Sequence, residues 1–213
     1  MSSYLRYTVH IVVTLLCVAS LVLAGTNGTT ITILHVNDTH SHLDAFGPKD
    51  AHLNGTLGGI AKAATVIGTV RTSEPNVVLL HAGDIFHGDF FFKKYFGVPE
   101  LQLMNSLGFD AMAVGNHEFD AGPDVLEGVL ETAFAAGSFP VLSANLDMSG
   151  FTALTQWIHP SIMKDVAGVR VGIFGMTVPN DPTTSPAPVI IRDDIRAIAQ
   201  QSVHDREAPV RPS

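Results

Sequence analysis

The chain has 213 residues, of which 46% are hydrophobic, and its mean hydropathy is +0.28. This is enough apolar material for one sizeable core and excludes an intrinsically disordered chain. The formal net charge of -8 and the pI near 5.6 exclude the broad basic face that nucleic acids and anionic membranes require. A small phosphorylated ligand fits such a chain only where bound cations reverse the local field.

The N-terminal segment predicts a signal peptide over residues 1–24. Arg6 precedes an apolar stretch from Val9 to Ala24, and the small residue Ala24 stands before Gly25. A membrane anchor is the alternative, but the stretch is shorter than the roughly 20 apolar residues that span a bilayer. Cleavage predicts a secreted protein, extracellular or periplasmic, without stable membrane insertion.

Two further predictions come from the N-terminal region. Cys17 is the only cysteine and lies inside the predicted signal peptide, so no disulfide is expected in the mature chain. Asn27 and Asn54 each begin an Asn-x-Thr triplet, which predicts N-glycosylation if the source is a eukaryote.

The apolar periodicity then predicts alternating strands and helices in chain order. Strands are predicted at Thr30–Val36, Val77–Leu80, Ala111–Val114 and Pro140–Leu146, and helices at Leu57–Val70, Pro99–Leu107 and Pro123–Ala136. Further along, the pattern predicts a hairpin of Ile158–Asp165 with Val169–Met176, a loop at Pro179–Pro188 and a helix at Arg192–His204. This alternation predicts an α/β fold with a parallel sheet, whose ligands gather at the carboxyl ends of the strands.

Three polar clusters follow three of the predicted strands. They are Asp38-Thr39-His40, Gly83-Asp84 and Gly115-Asn116-His117-Glu118. Two side chains two positions apart on an extended backbone point the same way, so Asp38 and His40 can bind one cation. A carboxylate such as Asp84 can bridge two cations, and an Asn carbonyl is a modest additional ligand.

Each cluster also has an ordinary interpretation. Asp-x-His is common in surface loops, Gly-Asp is a common turn, and Asn-His-Glu can cap a helix. The joint occurrence of the three clusters, in order, at successive strand ends favours a metal-dependent hydrolase instead.

The extended motifs resemble a known family. Asp38-x-His40, Gly83-Asp84-Ile85-Phe86-His87-Gly88 and Gly115-Asn116-His117-Glu118-Phe119-Asp120 are similar to the first three signatures of the calcineurin-like metallophosphoesterases. Within this superfamily, the segments Leu103–Asp110, Val141–Asn145 and Gly168–Gly175 are similar to the secreted 5'-nucleotidase family. This resemblance runs from about Thr30 to about Ile195.

The resemblance implies a four-layer αββα sandwich with two divalent metal ions, zinc, manganese or similar. Asp38 and His40 would bind one ion, Asp84 would bridge, and Asn116 would bind the other. His117 would act near the leaving group, held by Asp120 as its dyad partner. The implied function is hydrolysis of nucleotide or related phosphoesters by metal-activated water, in nucleotide catabolism.

The resemblance also implies histidines from later Gly-His clusters, which the chain does not show. After His117 only His159 and His204 follow, and these are expected in a hairpin and on a solvated helix. The expectation is a truncated catalytic domain over residues 30–206 with an incomplete αββα sandwich, an incomplete second metal site and a disordered tail at 207–213. The alternative function is an inactive fragment that binds at most one metal or a protein partner.

Overall fold

The computed structural model describes residues 28–47, 57–88 and 90–207, with side chains described as far as residue 204. The predicted signal peptide, the two predicted glycosylation asparagines and residues 208–213 of the predicted tail lie outside the described residues. Within the described ranges, no helix is long and apolar enough to cross a membrane.

The predicted α/β class is confirmed. In chain order the elements are β1 (Thr32–Val36), α1 (Ile60–Ser73), β2 (Val77–His81), α2 (Phe90–Tyr95), α3 (Val98–Leu107), β3 (Ala111–Ala113), α4 (Pro123–Ala133), β4 (Val141–Leu142), β5 (Leu146–Asp147), β6 (Ile158–His159), β7 (Ser161–Val166), β8 (Val169–Phe174), β9 (Ile190–Ile191) and α5 (Ile195–Glu207). Short 3₁₀ helices occupy His117–Phe119 and Thr152–Gln156.

Five strands form a parallel sheet in the order β1-β2-β3-β4-β6. Each strand lies beside its predecessor, so all carboxyl ends share one edge, and the loops that leave β1, β2 and β3 are neighbours. Two smaller antiparallel sheets pair β5 with β9 and β7 with β8.

The helices cover the sheet with apolar side chains at helical spacing. In α4, Leu126, Val129, Leu130 and Ala133 are buried, as expected for an amphipathic helix on a core. Helix α3 ends at Gly108, which has the left-handed conformation (φ 69°) predicted for a C-terminal cap. Both α3 and α4 join the core cluster that includes Leu79 and Met112 of the sheet.

Two strand predictions are wrong in detail. The predicted strand Pro140–Leu146 is split between β4 and β5, which belong to different sheets. The cause is the buried Asn145, whose side chain donates to the carbonyls of Thr177 (2.8 Å) and Arg192 (3.0 Å). These bonds turn the chain away from the parallel sheet.

The predicted strand Ile158–Asp165 is also interrupted, at Pro160. Proline has no N–H with which to continue a ladder. His159 therefore lies in the parallel sheet, and its assignment to the hairpin is wrong. The hairpin itself begins at Ser161 and turns at Ala167-Gly168, as predicted, in a sheet of its own.

The apolar run Phe90–Phe92 predicts a turn packed on the core. It instead begins the short helix α2, and only Phe92 of this run packs against the core. Phe90 is 81% exposed, because one turn of helix points successive side chains in different directions.

Candidate active site

Three loops meet at the carboxyl edge of the parallel sheet. The backbone N–H of Asp38 donates to the carbonyl of Gly83 (3.0 Å), and that of His40 donates to the carbonyl of Asp84 (3.1 Å). The backbone N–H of His117 donates to Oδ1 of Asp84 (3.1 Å). Residues from all three predicted clusters therefore lie together, although they are far apart in the chain.

Glycines permit this close approach. Gly83 has a φ of 102°, and a Cβ there would lie 2.6 Å from the backbone N of Gly115. A Cβ on Gly115 would collide with Oδ1 of Asp84. The loops after β2 and β3 can touch only because both residues lack a side chain.

Several non-glycine residues of the loops adopt left-handed backbone conformations. Asp38 has a φ of 51°, His40 of 43° and Asp84 of 60°. Such conformations are uncommon outside glycine and concentrate at functional sites. Three such residues lie in adjoining loops. Their backbone strain is therefore consistent with a functional requirement on where these side chains point.

The His40 ring is held in one orientation. Its Nδ1 lies 2.8 Å from the carbonyl oxygen of Phe86, and because a carbonyl only accepts, Nδ1 carries the proton. The Nε2 lone pair is then free, and it lies 3.7 Å from Oδ1 of Asp38. A histidine that donates one ring N–H to a backbone carbonyl has the arrangement common among metal ligands.

Asp84 lies between the other groups. The ligand atoms of His40, Asp84 and His117 all lie within 4.8 Å of one another. Burial raises the pKa of Asp84, while the backbone N–H and the charge of His117 oppose the rise. Burying an ionised carboxylate is unfavourable unless an opposite charge lies beside it. A bound cation would supply that charge next to Asp84.

Asp38 is the most exposed of the predicted ligands, with a side chain 54% accessible. Its carboxylate accepts a hydrogen bond from the side chain of Asn37, which lowers its pKa, while the small loss of solvent opposes this. Asp38 is therefore an anionic oxygen donor next to Nε2 of His40.

His117 is paired with Asp120. Its Nδ1 lies 3.1 and 3.0 Å from the two oxygens of Asp120, so Nδ1 donates and Nε2 faces away from that carboxylate. Burial lowers the pKa of His117, but the hydrogen bond and charge of Asp120, with the charge of Asp84, raise it overall.

His87 also bonds Asp120. Its Nδ1 lies 3.0 Å from Oδ2 of Asp120, and its ring centroid is 5.1 Å from that of His117. The sequence alone allows His87 to line the site but favours a loop histidine without a role. The structure instead gives Asp120 two imidazole partners.

Glu118 holds the site together from beneath. It is 2% exposed, and its carboxylate accepts from the backbone N–H groups of Asp84 (3.0 Å), Ile85 (2.8 Å), Phe86 (3.2 Å) and Gly115 (2.6 Å). The alternative interpretation of Asn-His-Glu as a helix cap does not hold, because no side-chain cap hydrogen bond forms at Asn116. The signal for this role in the sequence is the place of Glu118 in a strand-end motif.

His81, at the end of β2, is a neutral structural residue. It is 3% exposed, and burial lowers its pKa to about 4, although the charge of Asp38 opposes this. Its Nδ1 accepts the backbone N–H of Gly83 (3.1 Å). Its Nε2 therefore carries the proton and donates to Oγ1 of Thr39 (3.2 Å), which ties the first two loops together.

Asn116 is 8% exposed, and its Nδ2 donates to Oδ2 of Asp181 (2.8 Å). Asp181 belongs to the loop after β8, which the sequence indicates only as a proline-rich connection. No local motif marks it, because the contact spans 65 positions along the chain.

The remaining described histidines take no part in these contacts. His35, His42, His159 and His204 are exposed. Among the residues that the structure describes, the only histidines in groups able to bind a metal are His40, His87 and His117.

The donor set fits a divalent cation. Imidazole nitrogens and carboxylate oxygens converge within bonding reach of one point, and this mixture suits zinc, manganese and related ions. The arrangement therefore supports metal binding without selecting the metal.

Comparison with known proteins identifies the family. The family of calcineurin-like phosphoesterases matches residues 31–166. The chain belongs to this family. Calcineurin-like phosphoesterases are hydrolases that use divalent metals, so the predicted enzyme class and family are confirmed.

The individual relatives that the chain resembles include a nucleotide phosphoesterase and a 5'-nucleotidase. The chain is 37% identical over 201 residues to the trifunctional nucleotide phosphoesterase protein YfkN of Bacillus subtilis, covering 81% of this chain and 13% of that protein. It is 38% identical over 178 residues to the snake venom 5'-nucleotidase of Naja atra, covering 81% of this chain and 33% of that protein.

A solved structure agrees with both. The 5'-nucleotidase precursor of Thermus thermophilus superposes with a TM-score of 0.73 at 36% identity, over 83% of this chain and 34% of that one. The chain thus spans about a third or less of the length of these relatives.

Proposed function

We propose that this chain hydrolyses nucleotide phosphoesters with divalent cations bound at the loops after β1, β2 and β3. The observation that carries the proposal is that ligand atoms of His40, Asp84 and His117 lie within 4.8 Å of one another, which puts the His117 ring beside the two cation ligands His40 and Asp84. Asp38 and His40 would hold one cation, Asn116 would hold the second, and the carboxylate of Asp84 would be shared between them. When bound, a pair of cations lowers the pKa of a water molecule and neutralises charge on the phosphoryl oxygens.

His117 acts on the leaving group in this proposal. Asp120 fixes the ring through Nδ1, so Nε2 is the atom that faces substrate. Burial lowers the pKa of His117, but the hydrogen bond and charge of Asp120 oppose this and help to raise it overall, which favours a proton at Nε2 for donation to the departing oxygen. Such proton transfer typically contributes about 10²–10⁴-fold to a rate.

The proposed substrate class, nucleotide phosphoesters, is supported by the net charge of the chain and by the names of its relatives. A chain with a formal net charge of -8 attracts a phosphate only where cations dominate locally. The relatives, a nucleotide phosphoesterase and a 5'-nucleotidase by name, support a nucleotide over other phosphoesters. Nucleotide catabolism outside the cytoplasm is the corresponding role, with secretion supported by the apolar N-terminal segment.

The small number of available metal ligands favours one alternative function, which is metal binding without catalysis. Within the described ranges, His40 is the sole histidine that the proposal gives to the cations, and the second ion receives Asp84 and Asn116 alone. A chain with so few nitrogen donors would bind one ion and release no phosphate. Cation stoichiometry separates this metal-binding alternative from the phosphohydrolase.

The test is phosphate release from AMP by the purified full chain with manganese or zinc, and with chelator. The proposal expects cation-dependent release that falls by about 10²–10⁴-fold in His117→Asn. His204→Asn, which alters an exposed histidine of α5, is the matched control and should leave release unchanged. No release with any of several divalent ions would refute the proposal, and a calorimetric titration showing one weak site would then establish the alternative.

A further inference from the structure

The loop between β8 and β9 delivers a carboxylate to the candidate metal site. Oδ2 of Asp181 accepts the hydrogen bond from Nδ2 of Asn116 at 2.8 Å. Oδ1 of Asp181 accepts from the backbone N–H and the hydroxyl of Thr183, at 2.8 and 2.6 Å. Both oxygens are thus engaged, and Asp181 is an anchored acceptor more than a free metal ligand.

This contact fixes which way the Asn116 amide points. An amide has a donor end and an acceptor end, and an ionised carboxylate can only accept. Nδ2 must therefore face Asp181, and Oδ1 lies on the opposite side of the planar amide. If the amide were flipped, Nδ2 would lose its acceptor. Asn116 is only 8% exposed, so water would replace that hydrogen bond poorly.

We propose that Asp181 is a positioning residue that holds the carbonyl oxygen of Asn116 toward the divalent cation. The inference rests on the proposed function, since it assigns a purpose to the Asn116 oxygen only if a cation binds there. A neutral amide is a weak ligand, so its affinity depends on being aimed before the ion arrives. Partners that orient metal ligands typically change metal affinity about 10–100-fold when removed.

The chain contains a matched control for the turn that Asp181 makes. Oδ1 of Asp147 accepts the backbone N–H of Ser149 at 2.9 Å, which is the same Asp-to-i+2 arrangement as Asp181 with Thr183. Asp147 is in β5, whereas the candidate ligands lie in the loops after β1, β2 and β3. Removing each carboxylate costs one such turn, but only Asp181→Ala frees the Asn116 amide.

The experiment is calorimetric titration of the full chain with manganese(II) alone. Asp181→Ala should weaken binding about 10–100-fold, whereas Asp147→Ala should bind as the unsubstituted chain does. In an Asn116→Ala background, Asp181→Ala should cause no further loss, because the oriented group is already gone. Equal affinity of Asp181→Ala and the unsubstituted chain, or additive losses in the double variant, would overturn the inference.

A second measurement separates this inference from the proposed function. In the metal-free chain, the side-chain amide protons of Asn116 should shift in the NMR spectrum of Asp181→Ala and stay in place in Asp147→Ala. If they do not shift, Asp181 does not orient Asn116, whatever the metal affinity. If they shift but the unsubstituted chain binds no manganese, the proposed function fails and the positioning role fails with it. Asp181→Val, which keeps a branched side chain but offers no acceptor, replaces Asp181→Ala if the latter does not fold.

Discussion

Replacing Glu118 by Gln should destabilise the fold without creating a cavity. The carboxylate accepts four backbone N–H groups: Oε1 serves Ile85 and Phe86, and Oε2 serves Asp84 and Gly115. Gln keeps one carbonyl oxygen and places an NH₂ donor against the other two N–H groups. Each buried N–H without an acceptor costs about 1–3 kcal/mol, so two give a loss of about 2–6 kcal/mol.

The measurement is urea-induced unfolding followed by circular dichroism, with stability taken from the midpoint and slope. Domains are stable by only about 5–15 kcal/mol, so a loss of this size moves the midpoint visibly. Glu131→Gln, on the exposed side of α4, should change stability by less than about 0.5 kcal/mol. If Glu118→Gln unfolds at the same urea concentration as this control, the four hydrogen bonds do not support the site.

Three further predictions concern the same region. His81 has a pKa of about 4 in the fold, below the value of 6.5 for a free histidine, so the unfolded chain gains a proton first as the pH falls. Relative to His81→Gln, the free energy of unfolding should therefore drop by about 3 kcal/mol between about pH 6.5 and about pH 4. Parallel pH profiles of stability for the two proteins would contradict this. Gly83→Ala should cost about 1–3 kcal/mol, since its Cβ would lie 2.6 Å from the backbone of Gly115; an unchanged melting temperature would count against the close loop contact. Manganese at about 100 times its Kd should raise the melting temperature by about 5–10 °C, and His40→Ala should abolish the rise; a rise that persists in His40→Ala would place the ion elsewhere.

The secondary structure was largely predictable because local patterns govern it. The helix that ends at Gly108 and the turn at Ala167-Gly168 follow from glycine chemistry that is visible in the sequence. The split of Pro140–Leu146 was not predictable, because it depends on hydrogen bonds from Asn145 to residues more than 30 positions away. Local propensity contains no information about such partners.

The predicted site residues differ in the same way. Asp38, His40, Asp84, Asn116 and His117 are marked by their position after apolar strands, and their roles stay predictions until the experiments above are done. The pairing of His117 with Asp120 is short-range, and the family resemblance implies it. The residues that hydrogen-bond the candidate ligands, such as Asp181 with Asn116, come from distant parts of the chain. The sequence offers little sign of these contacts.

From the order of residues alone come the α/β class, the family and the candidate ligands, because apolar periodicity and short motifs are local properties. Only the folded chain decided that Glu118 binds four backbone amides, that His87 shares Asp120 with His117, and that Asp181 reaches Asn116. The physical reason is that a hydrogen bond depends on separation in space. A parallel sheet brings together strand ends that lie tens of residues apart, and the loops between them determine which polar atoms meet there.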